Sequence, residues 1–149
     1  MPGFLIDTSV WVALVFPSHP SHALAQAALK RANAAQPGIL CRATEQSFLR
    51  LVTTATIFNT YGMVGMTNSV ALEMLDLLLG LPHVIERDEP LGVTSRWRKL
   101  ATLPSPSPKV WMDAYLAAFA LSAGLSLVTL DKDFAAFARY GLDCNLLKG

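Results

Sequence analysis

Short apolar runs alternate along this chain with longer helix-forming stretches. Phe4-Leu5-Ile6 is an apolar triplet that stops at Asp7-Thr8-Ser9. It predicts a buried strand leading into a helix over 10–16, capped by Thr8 or Ser9 and stopped by Pro17. The Ala-rich stretch 22–35 predicts a second helix, broken by Pro37-Gly38. Ile39-Leu40-Cys41 reads as a second buried strand. The helix after it opens near Arg42 or Thr44 and turns Phe48, Leu49, Leu51 and Val52 to the core. Asn59, Tyr61-Gly62 and Gly65 mark a loop. Thr67 or Asn68 caps a helix that reaches Leu79 and ends at Gly80 and Pro82. Val84-Ile85 predicts a third short strand, and 94–101 a short helix. Pro104, Pro106 and Pro108 stiffen the loop that follows. Ser107-Pro108 has the cap and first-turn arrangement of a helix running to Ala123, closed by Gly124. A fourth strand over 127–130, a final helix over 134–140 and a last strand near 144–147 complete the reading.

Strands this short and apolar, alternating with helices, predict a parallel sheet covered on both faces. The expected architecture is α/β: a three-layer α/β/α sandwich around a short, mostly parallel central sheet. At 149 residues the chain fits one domain, 1–149. Hydrophobic residues make up 52% and charged residues 15%, an apolar excess that points to a buried partner surface as well as a core. Met66, Val70, Met74, Leu75, Leu77, Leu78 and Leu79 wrap more than one face of their helix, which suits a symmetric homodimer contact.

Composition narrows the setting more than the activity. A net charge of +1 selects no partner, so nucleic-acid contact has to come from local basic groups. Arg42, Arg50 and Lys109 flank the acids discussed next and are candidate phosphate contacts. Arg96, Arg98 and Lys99 beside Trp97 read first as a solvated helix face over a buried indole. Cys41 and Cys144 read as free thiols in a reducing cytosol. The segment 1–7 lacks a basic start and carries an early acid, which predicts no cleaved leader. The stretch 110–130 is long enough for a bilayer, but Asp113, Gly124 and a change of period make it a buried helix and strand. A cytoplasmic protein without a membrane segment is expected.

The acids carry the chemistry. Asp7 is the only charged side chain before Lys30, and Asp113 the only one in 110–130. Asp131 closes an apolar strand, with Asp133 two positions on, and Glu45 opens the helix after strand two. Ionised carboxylates in apolar surroundings are costly unless paired or holding a cation, and no Arg or Lys within those stretches is placed to pair locally with Asp7 or Asp113. Sites in parallel sheets form beyond the carboxyl ends of the strands, where Asp7 and Asp131 both fall. Carboxylates about 4 Å apart repel by roughly 4 kcal/mol at an effective dielectric near 20, a conflict that a hard cation removes. Mg²⁺ or Mn²⁺ suits an all-oxygen set. Zinc does not fit, because the histidines do not cluster with cysteines, and His19 and His22 belong to a turn and a helix start. Taken singly, Asp7, Asp131 and Asp133 read as helix caps and Glu45 as a first-turn acid. Asp113, read as lying beyond the first turn of an apolar helix, resists that account. Arg50 is a rival partner for the cluster.

Together these residues resemble a PIN domain. The likeness rests on Asp7-Thr8-Ser9 after an apolar strand, Glu45 before Phe48-Leu49-Arg50, Asp113-Ala114 opening an Ala-rich helix, and the block 127–134 containing Asp131 and Asp133. It runs from Phe4 to about 146, and the branch it resembles most is the VapC-type toxin ribonuclease. The resemblance implies a Mg²⁺- or Mn²⁺-dependent endoribonuclease, a homodimer, and a cognate antitoxin that blocks the site. By motif, Asp7, Glu45, Asp113 and Asp131 take the family's acidic positions and Asp133 an additional one, while Thr8 takes a small polar position beside the metal. The segment 54–107 carries no family motif, so the RNA is not specified. A structure-specific DNA nuclease and a non-catalytic RNA- or protein-binding module are the alternatives. A phosphatase is disfavoured because Asp7 lacks a second acid two positions on.

Overall fold

The computed structural model describes residues 3–148. The leader reading of Met1 and Pro2 falls outside that range. Five strands form one fully parallel sheet: β1 (Phe4–Ile6), β2 (Gly38–Leu40), β3 (Val84–Glu86), β4 (Ser126–Thr129) and β5 (Cys144–Leu146), in the spatial order β3-β2-β1-β4-β5. The sheet is thus parallel throughout, where a mostly parallel one was expected. The last strand forms and pairs with β4.

The period-2 alternation of each strand builds two cores. Leu5, Ile39 and Leu127 stand in register and pack one face against α6 (Val93–Ala101), α7 (Val110–Ala123) and a closing 3-10 helix (Lys132–Tyr140). Their neighbours Ile6, Leu40 and Val128 point the other way, to α1 (Thr8–Val15), α2 (His22–Lys30), α3 (Arg42–Val52) and α5 (Asn68–Leu79). Side chains alternate across a strand, so both faces are buried and three layers result. Trp11 and Phe16 on one side and Phe119 and Phe134 on the other are almost fully buried anchors.

Several elements differ from the sequence reading. α2 ends at Lys30, because the Asn33 side chain accepts from the amides of Ala35 and Gln36 and turns the chain. A short α4 (Ala55–Thr60) stands inside the region read as loop. The closing helix is a 3-10 helix. α7 starts at Val110 and not at Ser107-Pro108, which places Asp113 inside its first turn. Both cysteines are free. His19 and His22 bond locally, to the Ser21 amide and the Ala13 carbonyl. Among the described residues no helix is long and apolar enough to cross a membrane.

Candidate active site

Register decides where Asp7 goes. Ile6 pairs with Val128, so the next residues, Asp7 and Thr129, meet at the carboxyl edge of the sheet. The Thr129 hydroxyl donates to Asp7 Oδ2 at 2.7 Å, and Ser9 Oγ donates to the same oxygen at 2.8 Å. Both hydroxyls also serve the turn after β4, accepting from the amides of Asp131 and Leu130. Asp7 occupies the N-cap position of α1 yet makes no side-chain cap bond. Its carboxylate is therefore committed to the sheet edge, against the simple capping account. Ser9 thus makes a side-chain bond to Asp7. The signal for Thr129 was a hydroxyl residue at a strand end in register with Asp7.

Asp131 does cap the closing 3-10 helix, accepting the Asp133 amide on Oδ1 at 2.9 Å. Its other oxygen faces Lys109. The Lys109 ammonium lies 2.9 Å from Asp113 Oδ2, 2.5 Å from Asp131 Oδ2 and 3.1 Å from Asp133 Oδ2. Three carboxylates from two segments, the start of α7 and the start of the closing helix, thus gather on one cation point. This corrects the expectation that Asp113 has no local partner: Lys109 lies one helical turn before it, just outside the apolar stretch. Among the described residues, no group of three or more Asp, Glu, His or Cys side chains is arranged to hold a metal ion as the site stands.

Glu45 stands in a different environment. Its side chain is 2% exposed; Oε1 accepts from Arg42 at 3.0 Å and Oε2 has no partner. It makes no hydrogen bond to Asp7, Asp113 or Asp131, and the carboxyl it faces is that of Glu86 at the end of β3. Asp113, Asp131 and Asp133 thus come together on Lys109 with the charge of Asp7 felt beside them, and Glu45 pairs with Arg42 and faces Glu86. Arg42, one turn before Glu45 on the same helix, is its ion-pair partner. Arg50 makes no ion pair with a cluster acid among the described residues.

Burial and charge set the proton affinities. Burial raises the Asp7 carboxyl above its usual range, opposed by the Thr129 and Ser9 hydroxyls and the Thr8 amide, with Asp131 adding to the rise. Asp113 is raised too, first by burial, with Asp131 and Asp7 pushing further against the pull of Lys109. Burial also pushes Asp131 upward, but Lys109 and the Asp133 amide outweigh it and hold the group low. Burial works against the charged form of Lys109, and its three carboxylate partners reverse that and raise it. Glu45 is pushed up to about 7, by burial first and then by Glu86, with Arg42 opposing.

These observations bear on whether the residues fit a divalent ion. The donors are hard oxygens, and three of them already converge on a single positive centre. Asp7, Asp113 and Asp131 feel one another's charge, a conflict that a divalent ion would remove better than one ammonium. In chemical kind, the oxygens of Asp113, Asp131 and Asp133, with the charge of Asp7 felt beside them, suit a hard divalent ion.

Comparison with known proteins agrees with this geometry. The PIN domain family profile matches residues 4–140. The chain is 44% identical over 140 residues to Ribonuclease VapC41 of Mycobacterium tuberculosis, covering 92% of each chain. It is 30% identical to Ribonuclease VapC31 of the same organism over 91% of this chain and 93% of that one. Among solved structures, VapBC2 from Rickettsia felis bound to a DNA fragment from its promoter superposes with a TM-score of 0.67 at 15% identity, covering 97% of this chain and 98% of that one. Mycobacterium tuberculosis VapC20, a sarcin-ricin loop cleaving toxin, superposes at 0.63 with 17% identity, covering 90% and 94%. With its acids set at the carboxyl edge of a parallel sheet and its sequence matched over nearly its whole length, the chain belongs to the PIN-domain family, in its VapC branch.

Proposed function

We propose that residues 1–149 form a single-domain, Mg²⁺- or Mn²⁺-dependent endoribonuclease, the toxin of a type II toxin–antitoxin pair. The observation that carries this reading is the convergence of Asp113, Asp131 and Asp133 on one cation point beside buried Asp7. The ribonuclease names of the VapC relatives support the reaction class. Asp7, Asp113 and Asp131 would hold the ion, with Asp133 at the edge. When bound, the ion supplies Lewis-acid chemistry: it activates water and neutralises charge on a scissile phosphate.

The chain's own residues do the rest. Thr129 and Ser9 fix Asp7 Oδ2 and so set the direction in which the carboxylate would face the ion. The Asp133 amide fixes Asp131 in the same way. Glu45, at about 7, exchanges a proton near neutral pH and is the acid best suited to accept one as general base, once its carboxyl turns from Glu86 toward the aspartates. Single-stranded loops of structured RNA, such as tRNA or rRNA loops, are the substrate class, since splayed nucleotides reach an edge site that duplex geometry keeps away. Purified protein freed of antitoxin should cut RNA with Mn²⁺ or Mg²⁺ and leave DNA intact, and chelator should stop it. Undiminished cleavage by Asp113→Asn would remove the mechanism.

An antitoxin and a second copy of the chain are the proposed protein partners, in the cytoplasm. α5 leaves Leu77 72% exposed at an apolar groove of about 590 Å³ lined also by Leu14, Met74 and Leu81, and Leu72 51% exposed beside Leu49 and Arg50. Such a surface favours burial against another chain. Two observations favour a second reading, a non-catalytic binding module: Glu45 turns to Glu86, and Lys109 holds the cation point. RNA binding without turnover under either ion would select it.

A further inference from the structure

We propose that Lys109 is a built-in counter-cation, which holds the aspartates together in the metal-free protein and gives up its place to the divalent ion. The inference rests on the metal reading of Asp113 and Asp131 given above. It assigns to Lys109 a task distinct from phosphate contact: setting how tightly the ion binds.

The geometry is that of a filled socket. An ammonium has three N–H donors and no acceptor. Lys109 Nζ has three carboxylate partners, one each from Asp113, Asp131 and Asp133. Asp113 comes from the first turn of α7, and Asp131 and Asp133 from the N-cap and first turn of the closing helix. Without a positive charge at their meeting point these acids would repel and the segments would splay. The backbone of Lys109 is already helical at the N-cap of α7, φ −73° and ψ −28°, so one helical turn carries its stem to Asp113.

The same geometry makes the two cations rivals. An ion bound to Asp113 and Asp131 would stand within a few ångströms of the ammonium that the same carboxylates hold, and two positive charges that close repel. Lys109 has an exit: its side chain is 55% exposed, and its flexible stem can carry the charge into water. Pro104, Pro106 and Pro108 hold the preceding chain, so the exchange is a side-chain movement and needs no loop rearrangement.

Calorimetric titration of Mn²⁺ into chelator-stripped wild type, Lys109→Met, Lys109→Gln and Asp113→Asn tests this. Exposed ion pairs contribute little each, and losing three of them as competitors should tighten Mn²⁺ binding about tenfold in both lysine variants. Asp113→Asn should bind weakly. Unchanged or weaker binding by both lysine variants would overturn the counter-cation role while leaving the metal site standing. No binding by the wild type or either lysine variant would remove the metal reading and this inference together. A second measurement uses the unaltered chain. The Lys109 Nζ resonance, identified by its loss in Lys109→Gln, should shift as Mg²⁺ saturates a ¹⁵N-lysine sample. A resonance that stays in place at saturation would also overturn the proposal, because the ammonium would not have moved.

Discussion

The Thr129 hydroxyl reaches Asp7 Oδ2 at 2.7 Å and joins two adjacent strand ends that lie 122 positions apart in sequence. Thr129 is fully buried and accepts the Asp131 amide as well, so one side chain orients both strand-end acids. Thr129→Val keeps the shape and removes the hydroxyl. It leaves the partly buried Asp131 amide without its acceptor and deprives Asp7 of the shorter of its two hydroxyl bonds. The expected cost is about 1–3 kcal/mol in denaturant unfolding, with a smaller stabilisation by Mn²⁺ than in wild type. An unfolding midpoint equal to wild type would show that this bond does not organise the site.

Asp7→Asn separates stability from function. Burial raises the Asp7 carboxyl, so the ionised form is held in the fold at a cost when no metal is present. A neutral amide still accepts from Thr129 and Ser9. In chelator, Asp7→Asn should therefore melt at or above the wild-type temperature. With Mn²⁺ at about 100 times its Kd, wild type should gain about 2.7 kcal/mol, and the variant much less. Paired thermal melts with and without the ion decide the matter. A variant that melts lower than wild type in chelator would contradict the role given to burial.

Glu45 gives a pH signature of defined sign. Its folded-state value of about 7 lies above the ordinary 4.5, so the folded protein holds a proton that the unfolded chain releases. Stability from this group is present below about pH 4.5 and is lost as pH rises toward 7. Asp131 acts oppositely, since its value is lowered: its contribution is present above the ordinary carboxylate range and fades as pH falls. Glu45→Gln removes the first dependence. In chelator it should match wild type near pH 4 and exceed it near pH 8, by a few kcal/mol at most. A constant difference across that range would show that Glu45 does not bind a proton in the fold.

Much of this was legible in the sequence, for physical reasons. Apolar triplets such as Phe4-Leu5-Ile6 have no stable place except a doubly covered sheet, and Asp7 and Asp131 at their ends mark its functional edge. What escaped were contacts set by side-chain reach. Lys109 lies just outside the apolar run that drew attention to Asp113, although a helix opening at Ser107-Pro108 already sets the two four positions apart on one face. Glu45 has the right local context, but its pairing with Arg42 and its approach to Glu86 depend on how β3 is placed beside β2. The α4 helix was hidden because its six residues include no buried one, so no apolar stripe announces it.

Asp133 and Asp131 are two positions apart and should behave differently. Both accept from Lys109, but the Asp133 side chain is 58% exposed and the Asp131 side chain 28%. Asp131 also caps the closing helix through the Asp133 amide, which Asp133 in turn does not do. Asp133→Asn should change stability by less than about 0.5 kcal/mol and leave most of the RNA cleavage rate. Asp131→Asn should lower cleavage by orders of magnitude while keeping the cap, because the amide oxygen still accepts. Single-turnover assays at saturating Mn²⁺ distinguish the two, and equal losses would place Asp133 among the ligands themselves.

Leu77 tests the protein–protein surface without touching the site. It is 72% exposed on α5, while Leu75 and Leu78 of the same helix are buried in the core. An apolar side chain so exposed gains by burial against a second copy, on the order of 1.5–3 kcal/mol for a leucine, and a symmetric contact counts it twice. Leu77→Glu should leave monomer stability within about 0.5 kcal/mol, because nothing in the fold rests on that side chain. It should convert a dimer to a monomer, read by light scattering across a micromolar concentration series. A variant that stays dimeric would move the interface elsewhere. A wild type that is monomeric throughout would leave the α5 groove as a surface for the antitoxin, and Leu77→Glu should then weaken antitoxin binding without altering cleavage by the free protein.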